Sequence, residues 1–177
     1  MNSLKDKPSE TRSRKTRLIF YCVFMLLFLT PICTFSDNAP FPDFSIESYQ
    51  GTNINKKSLE ELGITVIIYG TPDSLAENRT ELDAVLEKFR QEKKGEELLY
   101  TVNFKSYPGF IRGIIKGQMK KHSQEMEISI YADWAGILLE LLSLDDSKVY
   151  FFFLNEKQEI IEQVIFQDKE YILSKIG

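Results

Sequence analysis

The sequence predicts an α/β fold in which helices flank a mixed central sheet. Two observations lead to this prediction. Residues 65–69 and 148–154 form short, almost continuously apolar runs, which are typical of strands buried on both faces. Segments with apolar residues at helical spacing alternate with such runs, and the chain closes with a hairpin and a helix. Because the sheet needs cover on both faces, the amphipathic segments are expected on both sides of it.

The first elements predicted are a β-hairpin and one helical turn. Residues 44–46 alternate between apolar and polar, and residues 49–52 supply turn chemistry before a second extended piece around Ile54. A helical turn over residues 58–62 ends at Gly63. The strand at 65–69 then leads into one long helix that ends near Gly95. Its apolar stripe consists of Leu75, Leu82, Val85, Leu86 and Phe89.

The second half continues the alternation. After a strand at 98–104, a second helix starts at residues 106–108 with an apolar face of Phe110, Ile111, Ile114 and Ile115. A strand at 127–133 follows, and Asp133 is predicted to cap a short helix over 134–142. The remaining predicted elements are a strand at 148–154, a turn at 155–158, a strand at 159–166 and a helix at 168–176.

The first 36 residues are typical of an export signal. Basic residues precede an uncharged stretch, residues 18–35, which Pro31 interrupts. Cleavage after Ser36 is one interpretation. An uncleaved membrane anchor is the other, since 18 uncharged residues reach the lower limit for spanning a bilayer. The predicted organisation is a signal peptide or N-terminal membrane anchor (1–36), a linker (37–42) and one domain (43–177), exported in either case.

Composition excludes two classes of function. Net charge is −4, but residues 1–36 hold six basic and two acidic residues, so the remainder has 16 basic and 24 acidic residues. A domain this acidic is a poor candidate for binding nucleic acid. The two cysteines, Cys22 and Cys33, both precede the domain. Disulfides, thiolate nucleophiles and cysteine metal clusters are therefore excluded from it, although lipid modification of Cys33 is a further alternative.

Three segments in order resemble the redoxin branch of the thioredoxin-like superfamily. Residues 39–62 are similar to its N-terminal hairpin, residues 65–69 to the strand before its active site, and residues 150–160 to its later hairpin. Within the superfamily the chain looks most like the cysteine-free exported proteins of YtfJ type, through Ala76, Asn78 and Leu82. The resemblance implies a thioredoxin-like fold with an N-terminal β-hairpin extension, located outside the cytoplasm.

The resemblance also implies a degenerate active site. Ser74 and Glu77 fall at the two cysteine positions of C-x-x-C, and Val149 falls at the position of a cis-proline. Thr71 begins a stretch similar to the peroxiredoxin T-x-x-C, with serine replacing cysteine. A serine hydroxyl does not ionise near neutral pH and a carboxylate cannot resolve a disulfide, so disulfide exchange and peroxide reduction are not expected. No catalytic residue is assigned.

Elementary chemistry gives these residues a structural explanation. Ser74 and Glu77 have the spacing of a capping box, with Ser74 as N-cap contributing ~1 kcal/mol. A nucleophilic Ser74 needs a base, and the one histidine, His122, lies in the polar run of another helix and is predicted to be solvated. Asp133, Asp145 and Asp146 fit a helix cap and a turn better than a metal site. No cofactor or metal is expected.

A basic stripe follows the second helix, at Arg112, Lys116 and Lys120, and is predicted to be a solvated face. The leading hypothesis is an exported, redox-inactive domain that binds a protein or peptide, in the periplasm or on the extracytoplasmic face of the membrane. The alternatives are a structural module tethered by residues 18–35 and, further, a thiol-independent enzyme. The candidate binding surface consists of Thr71, Pro72, Asp73, Ser74 and Asn78.

Overall fold

The computed structural model describes residues 39–92 and 97–176, which form an eight-stranded mixed sheet with helices on both faces. The strands are β1 Ala39–Pro40, β2 Ser45–Ser48, β3 Asn53–Asn55, β4 Val66–Gly70, β5 Leu98–Asn103, β6 Ile130–Asp133, β7 Tyr150–Leu154 and β8 Glu159–Ile165. The helices are α1 Lys56–Glu61, α2 Pro72–Glu77, α3 Arg79–Gln91, α4 Arg112–Met126, α5 Ile137–Leu141 and α6 Lys169–Ile176. The predicted α/β class with a mixed sheet is confirmed.

The sheet has the strand order β1-β8-β7-β4-β5-β6-β2-β3. Strands β4, β5 and β6 run parallel, whereas β7 is antiparallel to β4, with Ile68 opposite Phe151. Every residue of β4 and β7 is buried, so the prediction that these apolar runs are central strands is confirmed. The β2–β3 hairpin turns at Gly51, whose φ of 85° is accessible to glycine without steric cost.

Two apolar cores lie on opposite faces of this sheet. Helices α3, α4 and α6 cover one face, which includes Val85, Ile115 and Phe151. Helices α1 and α5, together with the chain before β2, cover the other, which includes Leu138 and Phe152. Because side chains alternate along a strand, β7 contributes neighbouring phenylalanines to the two different cores.

The single long helix predicted after β4 is instead two helices, α2 and α3, which meet at Asn78. The Asn78 side-chain amide donates a 2.8 Å hydrogen bond to the Ser74 carbonyl. In a continuous helix, the Asn78 backbone N–H would donate to that carbonyl instead. The Asn78 backbone N–H turns to the Ala76 carbonyl. Side-chain competition for a backbone acceptor thus ends α2, as is typical of asparagine.

The predicted apolar face of the second helix is wrong for two of its four residues. Phe110 is 86% exposed and Ile114 is 66% exposed. A 3₁₀ turn over Gly109–Ile111 precedes α4, which begins only at Arg112. The helix buries a different stripe, at Ile115, Met119 and Ser123. The short helix after β6 also starts later than predicted, at Ile137.

The signal peptide or anchor predicted over residues 1–36 lies outside the described residues. Within the described ranges, none of the helices combines the length and the apolar character that a membrane crossing requires.

Candidate functional site

The candidate site lies at one end of the central strands. Strands β4 and β5 are parallel, so their carboxyl ends meet at the same edge of the sheet. The loop that enters β7 reaches this edge too, because β7 is antiparallel to β4. Helix α2 begins here, two residues after β4 ends. In open α/β sheets, ligands bind outside the carboxyl ends of parallel strands.

Two hydroxyl-bearing residues cap the N-terminus of α2. Thr71 is the N-cap: its Oγ1 accepts a 3.2 Å hydrogen bond from the Ser74 amide. Ser74 Oγ accepts from the Thr71 amide at 3.0 Å and lies 3.2 Å from the Thr71 carbonyl, to which it can donate. The predicted capping box of Ser74 with Glu77 is therefore wrong. The true box is Thr71 with Ser74, three residues earlier, because Pro72 already occupies the first helical turn.

A hydrogen bond joins this cap to the loop before β7. Thr71 Oγ1 donates to the Asp146 carbonyl at 3.1 Å. The loop is itself ordered by Asp145, whose carboxylate accepts from the Ser147 amide at 2.9 Å. That hydrogen bond lowers the pKa of the Asp145 carboxyl. The turn predicted for Asp145 and Asp146 is thus present, and it forms one wall of the site.

These segments enclose a cavity of about 260 Å³. Its lining comes from the start of α2, from the chain after β5 and from the loop before β7. The nine lining residues are Thr71, Pro72, Asp73, Ser74, Glu77, Ser106, Tyr107, Asp146 and Ser147. Three of them are carboxylates and none is basic. The cavity is therefore suited to hydrogen-bond donors and to cationic groups.

The sequence-predicted residues divide between the cavity and its surroundings. Thr71, Pro72, Asp73, Ser74 and Glu77 line the cavity. Asn78 and Val149 do not. Asn78 is the C-cap of α2 and bonds to the Ser74 carbonyl. Val149 is buried in the core, where its carbonyl accepts from the Phe166 amide at 2.8 Å. The peptide bonds of the described residues are all trans. The Val149 position therefore lacks the cis bond of the pattern to which it was compared.

Four lining residues escaped sequence reasoning: Ser106, Tyr107, Asp146 and Ser147. The first pair lies shortly after β5 and the second shortly before β7. Their position in the loops at the ends of strands could have predicted them. The loop after a parallel strand and the loop before an antiparallel neighbour meet at the same edge of the sheet.

Two exposed apolar side chains follow Tyr107 in the chain. Phe110 and Ile114 extend into solvent three and seven residues later in the chain. Between them, the Arg112 guanidinium lies 5.0 Å from the centre of the Trp134 ring. Lys116 makes a 2.9 Å ion pair with Glu47. Arg112 and Lys120 are exposed, as predicted for a solvated face, whereas Lys116 is half-buried in its ion pair.

The remaining polar candidates are used structurally. Asp133 is buried, and its carboxylate accepts from the Ile137 and Leu138 amides at 2.8 and 2.9 Å, which confirms the predicted cap. His122 is partly exposed in an open groove, so it is less solvated than predicted. Among the residues that the structure describes, no group of three His, Cys, Asp or Glu side chains is arranged to hold a metal ion.

Neither a family model nor a curated protein matches this chain. Solved structures do match. The exposed lipoprotein thioredoxin Etrx1 of Streptococcus pneumoniae is 16% identical, with a TM-score of 0.50 over 76% of this chain and 98% of that one. A protein described as the thiol:disulfide interchange protein DsbE of Chlorobium tepidum is 16% identical, with a TM-score of 0.54 over 79% and 97%. Yeast Sco1 with copper bound is 16% identical, with a TM-score of 0.54 over 79% of this chain and 91% of that one. The chain has the thioredoxin-like fold.

Proposed function

We propose that this thioredoxin-like domain is an exported, redox-inactive protein that binds a protein or peptide segment in the cell envelope. The observation that supports this most directly is the cavity, because three separate chain segments converge on it at the ligand-binding edge of the sheet. Phe110, which is exposed three residues after the cavity-lining Tyr107, offers an apolar contact of the kind that anchors protein interfaces.

The residues at the helix start support the proposed redox inactivity. A helix N-terminus lowers the pKa of a cysteine and thereby activates it. In this chain the N-cap and the third helical residue are Thr71 and Ser74, and no cysteine follows Cys33. A hydroxyl at these positions stays protonated and cannot exchange disulfides. The hydrogen bonds of Ser74 to Thr71 also occupy the hydroxyl that a thiol-independent enzyme would need.

The cavity suggests the chemistry of the bound segment. Asp73, Glu77 and Asp146 line it without a basic residue, so an amino terminus, a lysine or an arginine would be favoured there. An apolar side chain next to that cation could rest on Phe110, which is almost fully exposed. We therefore expect the partner to present an extended segment in which a basic and an apolar residue lie close together.

The compartment is proposed from the N-terminal sequence. Basic residues ahead of the uncharged residues 18–35 direct the domain out of the cytoplasm, to the periplasm or the extracytoplasmic membrane face. A location of this kind is consistent with the structural similarity to an exposed lipoprotein. We also propose kinship with the cysteine-free YtfJ-type proteins. Whether residues 18–35 are cleaved is decided by mass spectrometry of the cell-derived N-terminus.

Site-specific photocrosslinking in the native envelope tests the binding proposal. A photoreactive residue replacing Asp73 should capture a discrete set of partner bands. The same residue replacing Glu61, an exposed acidic position on α1 across the sheet, is the matched control. Equal capture from both positions, or none from either, would reject the binding surface. Redox inactivity is tested separately: insulin reduction by the purified full chain at enzyme-like rates would contradict it.

A further inference from the structure

A second cavity lies on the face of the sheet covered by α3 and α4. It is an open groove of about 400 Å³ between these two helices, above β5. Its walls include Leu82 of α3 and Met119 of α4, and Val102 and Ile130 contribute from the strands. Pockets that hold small molecules are of roughly 300–1,000 Å³ and are mostly apolar. The groove has the size and the lining of the smaller members of that class.

The Tyr100 hydroxyl has no partner among the described residues, and its side chain lines this groove. Tyr100 of β5 lines the cavity and is only 7% exposed. Among the described residues its phenolic oxygen makes no hydrogen bond, whereas the buried Tyr69 hydroxyl is bonded to Asp133. A hydroxyl with no protein partner has its hydrogen available to water or to a ligand. Burial raises the pKa of Tyr100, so the phenol remains a proton donor at neutral pH.

The charges at the groove cancel one another. Arg79 and Asp83 both line it, and they pair across one turn of α3 with Nε and Oδ2 3.7 Å apart. Gln118 and the half-buried His122 are the other polar side chains there. A ligand with a full charge would have to compete with the existing pair. An uncharged ligand would leave that pair intact and could accept the Tyr100 proton.

We propose that the groove binds an uncharged small amphiphile with an apolar body and a hydrogen-bond acceptor such as a ketone. The body packs between Leu82 and Met119, and the acceptor receives the Tyr100 hydroxyl. This site is separate from the proposed protein-binding surface. Both cavities include Pro72, but no carboxylate of the protein-binding cavity lines the groove.

The test uses the fluorophore 6-propionyl-2-dimethylaminonaphthalene, an uncharged naphthalene with one ketone, titrated against the purified full chain. Its emission shifts to shorter wavelength in an apolar site, so binding should appear as a saturable blue shift. Ala76→Trp fills the groove from an exposed lining position. Ala84→Trp is the matched control, since Ala84 is exposed on α3 and does not line the groove.

We expect Ala76→Trp to weaken binding at least tenfold and Ala84→Trp to leave it unchanged. Tyr100→Phe should weaken binding about 2- to 12-fold, the range for one hydrogen bond. Affinity that is identical in wild type, Ala76→Trp and Ala84→Trp would overturn the proposal, as would a lack of saturable binding. A dimer that Ala76→Trp alone converts to monomer would also overturn it, because the groove would then be covered by a second copy.

Discussion

Replacing Asp133 with alanine should be among the most damaging single changes in the domain. Its carboxylate is fully buried and accepts hydrogen bonds from three donors. The Tyr69 hydroxyl lies 3.1 Å from Oδ2, and the amides of Ile137 and Leu138 lie 2.8 and 2.9 Å from the two oxygens. Asp133→Ala removes all three bonds at once and leaves their donors in the interior.

The magnitude follows from what each donor loses. An unsatisfied buried donor costs about 1–3 kcal/mol. Three such donors together would cost about 3–9 kcal/mol, and removing the carboxylate, whose own burial is unfavourable, offsets part of that loss. We expect Asp133→Ala to lower the free energy of unfolding by about 3–5 kcal/mol. Tyr69→Phe breaks one bond to a charged acceptor and should cost about 1.5–3 kcal/mol.

Urea denaturation of the wild type, both single variants and the double variant measures these costs. If the Tyr69–Asp133 bond is as described, Tyr69→Phe should cost much less in the Asp133→Ala background than in the wild type. The reasoning is refuted if Asp133→Ala changes stability by less than about 1 kcal/mol, the size of an ordinary substitution. Equal costs for Tyr69→Phe in both backgrounds would refute the pairing.

Three further predictions concern other parts of the fold. Burial raises the pKa of Tyr100, so the folded state keeps a proton that the unfolded chain loses above about pH 10. The free energy of unfolding should therefore fall there by up to about 1.4 kcal/mol per pH unit for this group. Tyr100→Phe should reduce this dependence when the free energy of unfolding is measured by denaturation between about pH 9 and pH 11. Gly136→Ala should cost about 1–3 kcal/mol by thermal denaturation, because Gly136 has a φ of 70° and its new Cβ would lie 2.6 Å from Lys105 Cδ; unchanged stability would contradict this. The double variant Thr71→Cys, Ser74→Cys should form an intrachain disulfide, because the two hydroxyl oxygens are 3.1 Å apart at the start of α2, one helical turn before the Ser74–Glu77 pair that the sequence comparison indicated; persistent free thiols after oxidation would contradict this.

The central sheet was predictable because its strands are apolar on both faces. Residues 65–69 and 148–154 have no polar side to expose, so burial between two helical layers was their one stable arrangement. The cap at Asp133 was also predictable, since an aspartate at the end of a strand and before an apolar stripe can accept hydrogen bonds from the first amides of the next helix. These features depend on local sequence alone.

Two features of the site depended on competition that sequence alone does not resolve. Thr71 and Ser74 are both good N-caps, and Pro72 decides between them because it fits the first helical turn. Phe110 looked like a core residue because it precedes an apolar helix. It is exposed because a 3₁₀ turn changes the rotation of the chain before α4. Such a change of helix type leaves no periodic signal.

The position of β7 has a consequence for the order in which the protein can fold. This strand lies between β4 and β8, and Phe151 and Phe152 fill opposite cores. β7 is synthesised after the other central strands, β4, β5 and β6. Until about residue 155 has been added, neither core is complete. We expect the chain to stay unfolded until its last elements emerge. Late completion of both cores would favour an unfolded chain during synthesis, which is the state that the proposed export needs.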